Sequence, residues 1–270
     1  PDLCENCGVP LSCGYTNLLR LTNVSTRRKD RISSDEEERL KLGYDMRTVL
    51  RFAEREGRPT FTSAEVECEG GAGWTLRYGP AATLWRINQG WRKRKNKSEL
   101  GFRLDVERGI WERESNDDDE ADDDRMIGRI LTVIPYVEDR RNSLVLEPKG
   151  MIDDPRMASL QAALKRAIQA RYQLEDSEVA AEPLPGEGAP RTRILFYEAA
   201  EGGAGALRQR VQDKDALAAL ARQAMEICHF DPETGEDRGK AEHASEPCAQ
   251  ACYDCLMSYT NQRDHELLDR

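Results

Sequence analysis

The stretch PRMASLQAALKRAIQARYQLE, Pro155–Glu175, is where the pattern of the chain changes, and its reading decides the fold class. Leu160, Leu164, Ile168 and Tyr172 recur every four residues, a spacing that keeps side chains on one face of an α-helix. Pro155 suits a first turn, where its missing N–H leaves no intrahelical bond unmade. The spacing predicts an amphipathic helix of about five turns. Upstream of it the apolar residues fall in short runs bounded by turn residues: TNLLRLTNV (16–24), DMRTVLRFA (45–53), FTSAEVEC (61–68), GWTLRY (73–78), ATLWRI (82–87) and GFRLD (101–105). Two further runs, RMIGRILTVIPYV (125–137) and NSLVLEP (142–148), complete a strand-like half interrupted by one short helix in SSDEEERLKLGY (33–44), with Ser34 as cap and Gly43 as stop. Downstream, EPLPGEGAP (182–190) reads as a link, RILFYEA (193–199) as a buried strand, and EGGAGALRQRVQDKDALAALARQAMEIC (201–228) as a glycine loop passing into helix. The expected class is α+β, with a β-rich part over 1–150 and a mainly helical part over 151–270.

The chain has 270 residues, 39% hydrophobic and 33% charged, enough aliphatic content for a sizeable core. No apolar run approaches the ~20 residues that cross a bilayer, and PDLCENCG has neither the basic start nor the apolar stretch of a signal peptide, so a cytoplasmic location without membrane contact is expected. The chain opens without an initiator Met, three residues before a Cys-x-x-Cys, and is expected to be part of something longer. Its formal net charge of -10 argues against a surface that coats nucleic acid uniformly. The charge is uneven. Seven acidic residues fall in Asp117–Asp124, within an acidic loop expected over 113–124, whereas WRKRKNK carries five basic residues in the six positions after Trp91. The acidic run repels itself and reads as a solvated loop.

Three of the eight cysteines, Cys248, Cys252 and Cys255, lie within eight residues, and Cys228 precedes them by twenty positions. Zinc takes four soft ligands in a tetrahedron, and a short Cys-x2-4-Cys knuckle wraps one face of the ion while a distant cysteine closes the other. Disulfides are disfavoured in a reducing compartment. Zinc is therefore the expected cofactor, with His229 and His243 as substitute ligands and otherwise as exposed histidines. At the other end Cys4 and Cys7 have the form of half a zinc ribbon, with Cys13 as a third ligand and either Cys68 or residues further upstream completing a second site. Taken alone, Cys68 reads as a buried thiol at the end of a strand.

Nothing resembles a complete catalytic apparatus. There is no nucleophile elbow and no HExxH, and three histidines leave little general-base chemistry. The glycine loop, with Gly202, Gly203 and Gly205, sits between strand and helix, where backbone N–H groups can meet an anion or simply make a tight turn. It lacks the Lys-Ser/Thr of a P-loop. Trp91, Arg92, Lys93, Arg94, Lys95 and Lys97 suit a surface that tracks a nucleic-acid backbone while a Trp stacks on a base. Tyr259, Asn261, Gln262 and Arg263, beside the cysteine block, can contact sugar or phosphate, or belong to a terminal helix docked by Leu267 and Leu268.

The combination EGGAGALRQ, a cysteine, and CAQACYDCLMSYTNQRDHELLDR resembles the C-terminal, MrfA-like zinc-binding domain of mitomycin-repair helicases, over about Leu195–Arg270. The earlier run LWRINQGWRKRKNKSELGF resembles sequence preceding that domain in DEAD/DEAH-type superfamily-2 helicases and in a helicase-associated component of the DISARM phage-defence system. The resemblance implies zinc on Cys228, Cys248, Cys252 and Cys255, DNA as a partner, and a place at the C-terminus of a repair or defence helicase or its partner subunit. Walker A, the DExH box and the motif VI arginines are absent from these residues, so ATP hydrolysis is expected of a motor upstream or on another chain.

Overall fold

The helix expected from Pro155 forms as α1, Asp154–Tyr172. Asp153 caps it, its Oδ1 accepting the Arg156 N–H at 3.0 Å, and Gln173 ends it in the left-handed conformation. Its buried face is wider than the four-residue stripe: Met157, Ala158, Ala162, Ala163 and Ala167 join Leu164 and Ile168 inside. The small alanines let neighbouring elements approach the helix closely. The computed structural model in which this is seen describes residues 15–23, 43–68, 73–112, 128–185, 190–199 and 205–270. The short helix expected over 33–44 lies mostly outside them, as do the acidic loop, Cys4, Cys7, Cys13, Gly202 and Gly203.

The strands are β1 (Leu18–Arg20), β2 (Tyr44–Arg51), β3 (Glu54–Arg55), β4 (Arg58–Pro59), β5 (Thr62–Glu67), β6 (Gly73–Trp91), β7 (Phe102–Asp105), β8 (Ile110–Trp111), β9 (Ile130–Pro148), β10 (Val179–Leu184) and β11 (Arg193–Glu198). The later helices are α2 (Ala206–Gln212), α3 (Ala216–Ile227) and a 3-10 segment, Tyr259–Leu267. The class is α+β. Two compact units divide the chain, residues 1–47 with 85–138 and residues 48–84 with 139–270. The change of pattern near residue 150 falls inside the second.

In the first unit β9 is the hub. β1 runs parallel to it with Leu18 opposite Ile134, and β7 runs antiparallel with Phe102 opposite Val133. β8 closes a hairpin on β7, Leu104 facing Trp111. Among the unit's described residues the buried side chains include Ile87, Leu104, Val133 and Ile134.

In the second unit β11 lies between β10 and the C-terminal half of β9, antiparallel to both. Its residues alternate between two cores. Ile194 and Phe196 join the large cluster with Met157, Leu164, Ile168, Leu144 and Leu146, while Leu195 and Tyr197 meet Leu84 and Val145 on the opposite face. Burial on both faces explains why Ile194–Tyr197 is an unbroken apolar run rather than an alternating one. α1 covers one face of β10 and β11 and packs against α3 and the 3-10 segment.

Three expectations change here. Residues 182–184, read as part of a Pro/Gly link, are the end of β10 and pair with β11 up to Leu184 opposite Arg193. With β10, β11 and a long irregular stretch after α3, the C-terminal part is mixed rather than mainly helical. GWTLRY and ATLWRI, separated in sequence by Gly79–Ala81, are one strand: a Cβ at Gly79 would run into the Phe52 ring, so the glycine makes room for a packed side chain rather than a turn. Among the described residues no helix is long and apolar enough to cross a membrane.

Candidate metal centre

The site begins where α3 stops. Cys228 is the C-cap, and His229 follows at φ +67°, a left-handed conformation that residues other than glycine rarely adopt. The His229 N–H bonds Glu226 O at 3.0 Å and the Phe230 N–H bonds Met225 O at 2.9 Å, the paired bonds of a Schellman stop. Glycine usually occupies the place His229 takes. A strained histidine there points to work for its imidazole.

A hairpin then returns the chain. Phe230 bridges Asp237, Arg238 N–H bonds His229 O, and Cys248 N–H bonds Gly239 O at 2.7 Å. The Asp231 carboxylate holds the turn, taking the N–H groups of Glu233 and Thr234 on one oxygen and Arg238 on the other. Arg270 fastens the base: it donates to both oxygens of Asp237, to Cys248 O and to Cys228 O, and its guanidinium lies over the Phe230 ring. From α1, Arg166 donates to the carbonyls of Tyr253 and Met257, fixing the far side of the knuckle.

These segments bring Nε2 or Nδ1 of His229 and the thiols of Cys248, Cys252 and Cys255 within 4.8 Å of one another. His229 Nε2 is 3.3 Å from Cys252 Sγ. Cys255 Sγ is 3.5 Å from Cys252 Sγ and 3.8 Å from Cys248 Sγ. A disulfide needs about 2.05 Å, so the sulfurs are unbonded. A tetrahedral zinc ion, about 2.3 Å from each sulfur and about 2.0 Å from nitrogen, holds its ligands about 3.5 to 3.8 Å apart. The donor set and its spacing fit zinc, which this chain binds as its cofactor. Cys255 Sγ also accepts the Cys252 N–H at 3.1 Å, a bond that favours a thiolate.

Cys228, expected as the fourth ligand, is outside this set, and the neighbouring His229 lies where a fourth donor could act. Burial, helped by the charge of Cys255, pushes the Cys228 thiol up to about 12. Burial likewise pushes Cys255 up to about 12 and raises Cys248, while burial and then Arg270 lower His229. These shifts favour the neutral forms of Cys248, Cys255 and His229 when no cation is bound, and metal binding releases thiol protons. His229, expected alone to be exposed, is buried at 4% exposure. His243 is exposed, 3.3 Å from Asp254 Oδ1. Cys68 is an exposed thiol, not the buried one expected.

The other expected residues meet different fates. Arg94 is pinned by Asp45 at 3.0 Å and by the carbonyls of Trp91 and Lys97, whereas Lys93, Lys95 and Lys97 are exposed. Trp91 stacks on Tyr44 at 4.5 Å between ring centroids. Asn261 closes a capping box: its Oδ1 accepts the Ser258 N–H at 2.7 Å and its amide donates to Leu256 O. Gln262 is half-buried, and Tyr259 and Arg263 are exposed. Gly205 enters α2 at φ +71°, but the N–H of Leu207 in that first turn is taken by the buried carboxylate of Glu198. Sequence reading passed over Glu198, Asp231 and Arg270; for Arg270 the only signal was its place at the end of Leu-Asp-Arg.

Asp231 and Asp237 are held well below the usual carboxylate range, by Arg238 and backbone N–H groups for the first and by Arg270 for the second. Lowered carboxylates contribute stability that is full above their unfolded value near 4 and is lost as pH falls through the folded one. Below about pH 4 the hairpin carrying His229 should loosen, with zinc released as protons also compete for the ligands. A chelator-dye assay across an acid titration reads this directly: Asp231→Asn should release metal at a higher pH than the parent chain.

Residues 160–256 match the family model of the MrfA Zn-binding domain. That span holds His229 together with Cys228, Cys248, Cys252 and Cys255. No curated protein matches the chain. Among solved structures, the crystal structure of a DUF1998 helicase, MrfA, bound to DNA is similar at 12% identity and a TM-score of 0.43, over 80% of this chain. The chain spans 23% of that helicase's length.

Proposed function

We propose that this chain, whose residues 160–256 match the MrfA Zn-binding domain, is a zinc-stabilised accessory module that guides or anchors DNA for an ATP-driven helicase motor lying outside these residues. The observation that carries the proposal is the basic turn after β6. In a chain of net charge -10, Arg94 ties this turn together from within, through Asp45 and two carbonyls, and leaves Lys93, Lys95 and Lys97 at its surface. Clustered lysines on a rigid support are what a phosphate backbone recognises, through release of its counterions. Tyr259 and Arg263 offer a second exposed contact close in sequence to the knuckle. Repair or phage defence is the setting we infer for such a module, with the motor in the same protein or on a partner.

Fluorescence anisotropy of the zinc-loaded chain with single-stranded and duplex DNA, at two salt concentrations, tests this. Micromolar or tighter binding that weakens with salt is expected. Changing Lys93, Lys95 and Lys97 to Ala should reduce the salt slope by about 0.7 to 0.9 for each phosphate no longer neutralised. Arg94 is left intact, since its removal would collapse the turn. Absence of binding at micromolar protein would favour a scaffold that joins complex subunits without touching DNA, a role that the net negative charge suits.

A further inference from the structure

The first unit carries an aromatic ladder that its own core does not cover. Tyr44 stacks on Trp91 at 4.5 Å, Phe102 meets both edge-on at 5.9 and 6.1 Å, and Trp111 meets Phe102 edge-on at 6.1 Å. The two ends are open: Tyr44 is 42% exposed and Trp111 43%, and Ile110 beside it is 59% exposed. An indole held on a two-residue strand, half in water next to an exposed isoleucine, is costly for a fold that could bury it. The basic turn adjoins the ladder directly. Arg92 donates to Tyr44 O, the Arg92 N–H bonds Gly43 O, and Lys97 donates to Arg92 O.

Charge identifies the occupant. In a chain of net charge -10, five of the six residues after Trp91 are Lys or Arg, and Lys93, Lys95 and Lys97 among them are exposed. A surface that offers aromatic faces and clustered cations together matches a ligand that offers unstacked rings and phosphates together. We propose that the ladder is a stacking platform for single-stranded nucleic acid, with bases on Tyr44 and Trp111 and the backbone along Lys93, Lys95 and Lys97. This rests on the DNA-handling reading above and adds to it the strand form and the residues that grip it. Trp91, which sequence alone suggested as the stacking residue, supports Tyr44 from behind.

The test uses the full zinc-loaded chain and a fluorescein-labelled single-stranded oligonucleotide of mixed sequence, with the matching duplex as comparison. Trp111→Ala should weaken single-strand binding by about 5- to 150-fold, the range for losing one base–aromatic stack, while leaving the salt slope unchanged. Trp111→Phe, which keeps a ring, should recover most of the loss and guards against an effect of misfolding, as does an unchanged melting curve. Duplex binding should change little in either variant. If the parent chain binds single strands and Trp111→Ala binds equally well, the platform is wrong although the DNA-handling reading survives. If the parent chain binds no nucleic acid at all, both fail.

Discussion

Replacing Cys252 and Cys255 together with Ser is expected to abolish stoichiometric zinc and to melt the metal-bearing part of the second unit. Beyond the hydrogen bonds of Arg270, Arg166 and Asp231, the knuckle has little buried apolar packing to hold it. Between α3 and the 3-10 segment the chain runs for some thirty residues with one bridge of β-structure, and its buried residues are His229, Cys248 and Cys255 of the candidate ligand set with Cys228 and Leu256, while Phe230 is half-buried beside them. Structural zinc supplies about 10–16 kcal/mol of apparent binding free energy at neutral pH, comparable with the whole stability of a domain. Even a loss of about 5 kcal/mol would lower the melting temperature of a unit this size by about 10–20 °C. Metal content by mass spectrometry and a thermal melt read the two effects separately. An unchanged melt with zinc absent would falsify the structural role given to the ion; unchanged zinc would remove these two cysteines from the site.

The second large effect separates two adjacent residues. His229→Gly should weaken zinc binding by about a hundredfold or more, if the binding free energy is shared about evenly over four ligands. The glycine relieves the left-handed backbone at φ +67°, so a loss of metal cannot be attributed to a strained helix stop. Cys228→Ala, by contrast, should keep stoichiometric zinc and lose only about 1–2 kcal/mol of stability, the consequence of deleting a buried sulfur from the core. Cobalt substitution gives an independent readout: three thiolates and one imidazole in the parent, unchanged by Cys228→Ala. Should Cys228→Ala lose the metal while His229→Gly keeps it, the fourth ligand is the cysteine that the sequence spacing names.

That contest marks the boundary between what is local and what is not. The triplet Cys248, Cys252, Cys255 was legible because a knuckle is a short-range object: three thiols within eight residues can meet round one ion whatever the rest of the chain does. α1 was legible for a similar reason, since its period, its proline and its cap are all written within twenty or so residues. The two-faced burial of β11 could be read from an unbroken apolar run. The fourth ligand could not, because Cys228 and His229 are equally close in sequence to the triplet. Which one faces the ion depends on the rotation the chain makes as it leaves α3, and that follows from two backbone bonds and the packing of Phe230 under Arg270. The same limit applies to β10, whose proline spoke for a link until β11 supplied a partner. It applies to Trp91, whose exposure was decided by Tyr44, forty-seven positions earlier. Composition, spacing and period by themselves determined the α+β class, the zinc and the basic turn. Tertiary structure alone decided which of two neighbouring side chains lies among the three thiols and which aromatic rings are exposed, through contacts such as Arg270 on Phe230 and Tyr44 on Trp91 that join residues far apart in the chain.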